Sequence, residues 1–200
     1  MRHRQYGFTL IEVLVTFAIL ATVASLTVPH LVGASAGLRV RLAAGEIAGA
    51  FQTARLAAVK NHAFVAVRFR TDGEGRLTWA LYQDGDGDGV QNRDIARGID
   101  RAISPVRPVV QLWGEVRPGF PPGEAPRDPA DPRRRLTRLQ DPIRFGNGDL
   151  VSFDFLGGST SGSIYFTDGR SHLVVVRVHG RTGKVKVMAY DPKRERWRMV

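Results

Sequence analysis

Two hundred residues with a formal net charge of +10, 43% hydrophobic and 24% charged, suffice for one anchor segment plus one globular domain with its own core. The absence of cysteine removes disulfide frameworks and thiolate metal sites. So basic a chain is suited to polyanions (nucleic acid, an acidic membrane surface or an acidic partner), although a merely solvated basic surface gives the same balance.

The first element is a run of about twenty residues, Phe8 to Val28, that carries a single charge, Glu12. Three readings compete for it. A secretory signal peptide would have a shorter apolar stretch and no acid inside it. A plain membrane anchor fits the length, with Arg2 and Arg4 holding the N-terminus on the cytoplasmic side. That reading leaves Glu12 unexplained, at a cost of roughly 2.5–3.5 kcal/mol for a central position.

The third reading starts from Gly7-Phe8-Thr9-Leu10-Ile11-Glu12 behind a short basic leader. This stretch resembles the processing site of type IV pilins and of the pseudopilins of type II secretion. The resemblance implies that a prepilin peptidase cuts between Gly7 and Phe8, removes residues 1–7 and methylates the new amine of Phe8. It also implies a partner for Glu12: the charged N-terminus of a neighbouring pilin or pseudopilin subunit, which would set the register of helices stacking into a filament. The implied setting is the bacterial inner membrane. The chain would pass through it once, N-terminus cytoplasmic and head periplasmic, and enter a pilus or pseudopilus through an inner-membrane assembly platform.

Residues 8–29 are thus expected to be the transmembrane and polymerisation helix, with Pro29 ending the apolar run and kinking it. Residues 30–61 read as the amphipathic continuation, because Ile47, Phe51, Ala54 and Ala58 recur at helical spacing while Glu46, Gln52, Arg55 and Lys60 fall largely elsewhere. One helix from Phe8 to Asn61 would be about 80 Å long.

Strands are predicted at Ala63–Arg70 and Arg76–Tyr82, joined by the turn over residues 71–75, then at Pro108–Trp113, Ile143–Phe145, Val151–Phe155, Ser163–Phe166, His172–Val178, Lys184–Tyr190 and Arg196–Val200. The expected fold is α+β: a pilin-like lollipop whose long helix packs on an antiparallel, sandwich-like β head over residues 62–200. This order of elements is similar to that of the H-type pseudopilins and their minor-pilin relatives. The span 104–142 departs from them. It holds nine of the eleven prolines and reads as a long surface insertion, either loose or draped over the sheet.

Two clusters carry candidate chemistry. In YQDGDGDGVQNRDI, Asp84, Asp86, Asp88, the Val90 carbonyl and Asn92 occupy positions 1, 3, 5, 7 and 9 of an EF-hand-like loop, the arrangement that offers oxygens to Ca2+. The twelfth position is Ile95, with Asp94 one residue early, so an exposed Asp/Gly turn between strands stays open as the other reading. The second cluster is basic: Arg181, Lys184 and Lys186 around the turn at residues 180–183, then Arg194, Arg196 and Arg198 interleaved with Trp197. Cations beside a stacking ring suit DNA or another anionic partner. The plainer alternative packs Trp197 on the sheet.

No catalytic group is legible. Gly180-Arg-Thr-Gly-Lys184 lacks the first glycine and the Ser/Thr of a phosphate loop, no histidine pair has metal-site spacing, and Ser159, Ser161 and Ser163 have no nucleophile-elbow context. A non-enzymatic subunit that meets other subunits, secreted cargo or DNA is the expected function, a DNA receptor for uptake the alternative, and an anchored envelope enzyme the more distant rival.

Overall fold

The protein is described by a computed structural model covering residues 9–73, 76–109, 116–146 and 148–200, with the side chains of 26–34 outside the description. It forms two compact units, one reaching to Gly37 and one from Leu38 to Val200. Gly7 and Phe8 lie outside the described residues.

Helix α1 (Leu10–Asn61) begins at Thr9, whose hydroxyl accepts the Glu12 amide at 3.3 Å, a Thr-x-x-Glu start that satisfies one orphan donor and places an acid at the positive end of the helix. In the first unit Leu10, Ile11, Leu14, Phe17, Ile19, Leu20 and Val23 are all exposed, so this part is apolar on every side. Its hydroxyls are spent internally: Thr16 donates to the Glu12 carbonyl at 2.7 Å and Thr22 to that of Ala18 at 2.8 Å. The backbone of α1 runs through Pro29 without a break. Among the described residues no helix is long and apolar enough to cross a membrane; the described side chains of this run stop at Ser25.

In the second unit, Val40, Ala43, Ala44, Ile47, Ala50, Phe51, Ala54 and Ala58 form the buried stripe of α1. The alanines let the helix backbone approach closely, and Phe51 fills the space between layers, with its ring 5.6 Å from Phe145, 6.1 Å from Phe69 and 6.3 Å from Phe153.

Two antiparallel sheets share that core. The first contains β1 (Val65–Thr71), β2 (Leu77–Gln83), β3 (Arg101–Ala102), β4 (Arg107–Pro108) and β7 (Leu150–Phe153), in the order β3-β2-β1-β7 with β4 also on β2. The second contains β5 (Arg117–Pro118), β6 (Ile143–Phe145), β8 (Gly162–Thr167), β9 (Leu173–His179), β10 (Lys184–Asp191) and β11 (Arg196–Met199), in the order β11-β10-β9-β8-β5 with β6 also on β8. Strand alternation sets which residues meet α1: Val174, Val176 and Val178 of β9 face it, while Leu173 and Val175 face away. The α+β architecture is the expected one, and Ile143–Phe145 has the expected bounds. The two-residue strands β3 and β5 and the short helix α2 (Asn92–Arg97) had no sequence signal. The strand expected at Pro108–Trp113 is described only as far as β4, and its remainder lies outside the described residues.

The proline-rich insertion is a strap. Its buried Leu136, with Phe120 and Leu139, packs on Tyr165, Leu173, Val175, Met188, Tyr190 and Trp197 to build a second core on the outer face of the second sheet. Arg144 stacks over the rings of Phe120 and Tyr165 and donates to the carbonyls of Thr137, Arg138 and Asp141. Glu195 receives Arg127 and Arg135 from the strap. These two guanidinium groups, Arg127 first, hold its carboxyl below the usual range.

The β8–β9 turn is set by Asp168, whose Oδ1 accepts the amides of Arg170, Ser171 and His172 at 2.9–3.0 Å while Oδ2 meets His172 Nδ1 at 2.6 Å. Desolvation raises the Asp168 carboxyl, but the His172 ring and these three amides outweigh it and bring its pKa to about 2. The folded value lies below the ordinary 3.8. The stabilisation is therefore full above pH 3.8 and lost as pH falls through about 2. Asp168→Ala is expected to cost roughly 1–2 kcal/mol at pH 7 once solvent screening is allowed for, with melting curves converging on wild type near pH 2.

Candidate functional site

The Asp-Gly loop leaves β2 and enters α2. Asp84 is almost buried, and its carboxylate organises the loop: Oδ1 accepts the amides of Asp86 at 3.1 Å and Gly87 at 2.9 Å, and Oδ2 accepts that of Gly89 at 3.1 Å. Gly87 and Gly89 have φ near +90°, which a side chain strongly disfavours. At Gly85, a Cβ would stand 2.2 Å from the Ile99 carbonyl oxygen. The glycines are required by this path.

The fold brings Asp84, Asp86 and Asp88 together, with one carboxylate oxygen from each within 4.8 Å of the others. The Asp86 carboxyl is raised above its ordinary value, first by desolvation in the loop and also by the charge of Asp88, against a backbone hydrogen bond from Asp88 that lowers it. Such an all-oxygen, acidic set fits a hard cation in its chemistry.

The other residues expected to contribute have contacts of their own. Asn92 donates to the Gly148 carbonyl at 3.1 Å, Asp94 is buried against Arg93 Nε at 3.0 Å, and Val90 is buried. Arg93 also reaches Asp88 at 2.9 Å. The residue sequence reasoning missed is Asp100, buried beyond α2, which accepts the amides of Gly85 at 3.2 Å and Gln91 at 2.8 Å and so fastens both ends of the loop. Only its acidity gave a signal, and nothing in its spacing tied it to the loop.

The basic residues divide. Trp197 lies in the second core, 5.0 Å from the Tyr190 ring, and its indole N–H donates to the Arg127 carbonyl at 2.7 Å, so this ring is occupied by packing. Arg198 pairs with Asp191 at 3.1 Å, while Arg194 and Arg196 are exposed. Arg181 is exposed in the β9–β10 turn, and Lys184 and Lys186 stand on β10 beside it. The serines expected to be inert are structural: Ser159 and Ser161 donate to the carbonyls of His179 and Val178.

In the first unit, Glu12 is exposed one turn into an otherwise uncharged helical surface. A helix of this kind, followed by a helix-backed pair of antiparallel sheets, defines an α+β protein of pilin-like plan. Residues 2–28 match the family described as the prokaryotic N-terminal methylation motif, so the segment carries a type IV pilin-like signal. Such a signal implies a membrane-anchored subunit that a prepilin peptidase processes and that assembles with other pilin-type subunits. No curated protein and no solved structure matches the chain.

Proposed function

We propose that this chain is a minor pilin or pseudopilin: a structural, non-enzymatic subunit of a type II secretion pseudopilus or a type IV pilus. The precursor is cut after Gly7 and methylated at Phe8. It sits in the inner membrane through residues 8–29 with its head in the periplasm, and the assembly platform moves it into a fibre in which Glu12 pairs with a neighbour's Phe8 amine. The observation that carries this reading is the methylation motif over residues 2–28, with Glu12 as the one acid of its apolar helix. Mass spectrometry of the protein isolated from its host tests it. The expected N-terminus is a methylated Phe8; an intact leader, or a start elsewhere, overturns the reading.

The same reading gives the Asp-Gly loop a Ca2+ ion held by Asp84, Asp86 and Asp88, which would offset the mutual repulsion of these acids and stiffen the β2–α2 connection. Calcium in excess of its Kd is then expected to raise the melting temperature of the wild-type chain, by about 3 kcal/mol of stability at a hundredfold excess. In Asp86→Ala the shift should disappear, and an unchanged shift there would place the ion elsewhere.

A second reading has the head contact DNA during uptake. It is favoured by the cations of β9 and β10, which have no carboxylate partner among the described residues.

A further inference from the structure

The outer face of the second sheet has two halves. The strap covers the apolar half, Tyr165, Leu173, Val175, Met188 and Tyr190. Beyond the strap the same face continues into Arg177 and His179 on β9 and Lys184 and Lys186 on β10. The register sets Lys186 directly opposite Arg177, and Lys184 directly opposite His179. Of these pairs Lys186 and Arg177 carry like charges, and like charges in directly opposed positions destabilise a sheet.

Arg177 donates through Nη1 to the Ser163 hydroxyl at 3.4 Å, while its Nε is buried without an acceptor. The His179 Nε2 is likewise buried and without a hydrogen-bond partner. Desolvation first, then the charges of Lys186, Arg177 and Lys184, lowers the His179 pKa. The chain thus maintains, against its own stability, the opposed positive charges of Arg177 and Lys186 beside Lys184 on one face of the hairpin.

We propose that this basic half of the β9–β10 face binds the phosphodiester backbone of duplex DNA through Arg177, Lys184 and Lys186, with Arg181 at the hairpin tip. The inference rests on the DNA reading above and gives it a place. A repeating polyanion fits better than a short acidic peptide, because the +10 of the full chain less Arg2 and Arg4 of residues 1–7 leaves +8, with Arg133 and Arg134 also exposed. Tyr165, Tyr190 and Trp197 are taken up in the second core. With those rings engaged, the contact is to phosphates and is indifferent to base sequence.

The test uses the full chain in neutral detergent, with fluorescence anisotropy of a labelled DNA duplex across a salt series. The wild type is expected to bind with an affinity that falls steeply with salt. Lys184→Gln/Lys186→Gln should bind about tenfold more weakly with a salt slope shallower by about two, and should melt no lower than wild type because the repulsion with Arg177 is relieved. Arg194→Gln/Arg196→Gln should bind nearly as wild type. If that tail variant loses as much affinity, or polyglutamate displaces the duplex as well as unlabelled DNA does, the placement is overturned while the basic head remains an anion contact. No binding at low salt would overturn both the placement and the DNA reading, leaving the fibre reading to its own test at the N-terminus.

Discussion

Glu12→Val is expected to be processed and retained in the membrane fraction but to fall at least tenfold in the assembled fibre, measured as the ratio of sheared-fibre to membrane-bound protein. In a lone subunit the acid opposes residence in lipid, at a penalty reaching roughly 2.5–3.5 kcal/mol at mid-bilayer. Pairing with the amine of an adjacent Phe8 would remove that penalty only in the fibre, so the acid makes assembly the more favourable state. Valine erases the difference: the monomer becomes content in the bilayer and the axial register loses its one polar constraint. Glu12→Asp, which keeps the charge on a shorter arm, should recover part of the assembly. Equal incorporation of the valine variant would sink the pairing and leave Glu12 as the helix-start residue that the Thr9 contact already makes it.

The second large effect is in the head. Phe51→Ala should destabilise it by about 3–5 kcal/mol, because the ring is fully buried and packs edge-on to aromatic rings of both sheets. Against the 5–15 kcal/mol typical of a domain, this is enough to lower the melting temperature by more than ten degrees or to leave the head partly unfolded at 37 °C. Phe51→Leu, which keeps most of the volume, should cost markedly less. If alanine cost no more than about 1 kcal/mol by urea unfolding, the helix would not be the element that joins the two sheets.

The functional division of the chain was open to sequence reasoning where physics acts locally. An acid inside an apolar run, a glycine before it and a basic leader are adjacent in the chain, so the type IV pilin-like signal over residues 2–28 could be read without a fold. The buried stripe of α1 followed from its period, since Ile47, Phe51, Ala54 and Ala58 must share one face of any helix. The long strands announced themselves by valine-rich or alternating runs. Strands of two residues carry no such pattern. Both β3 and β5 exist because β2 and β8 offer them an edge.

Sequence spacing fared worse wherever a residue's partner comes from far along the chain. Spacing put Asp84, Asp86, Asp88, Val90 and Asn92 on loop positions with Asp94 one residue early, but it did not show that Asn92 donates to Gly148, that Asp94 meets its neighbouring arginines, or that the distant Asp100 fastens the loop. Trp197 among three arginines resembled a stacking platform until the strap supplied a carbonyl for its N–H and apolar neighbours for its ring.

By itself, then, the sequence determined the type IV pilin-like signal, the apolar helix with its single acid, the helix stripe and most strands, because periodicity and adjacency are properties of the chain alone. Only the tertiary structure decided that the proline-rich insertion is a strap with its own core, and that it packs on the apolar half of a sheet face whose other half is basic. Cross-strand register and contacts between residues 60 or 70 apart in the chain fix those outcomes, and no local pattern encodes them.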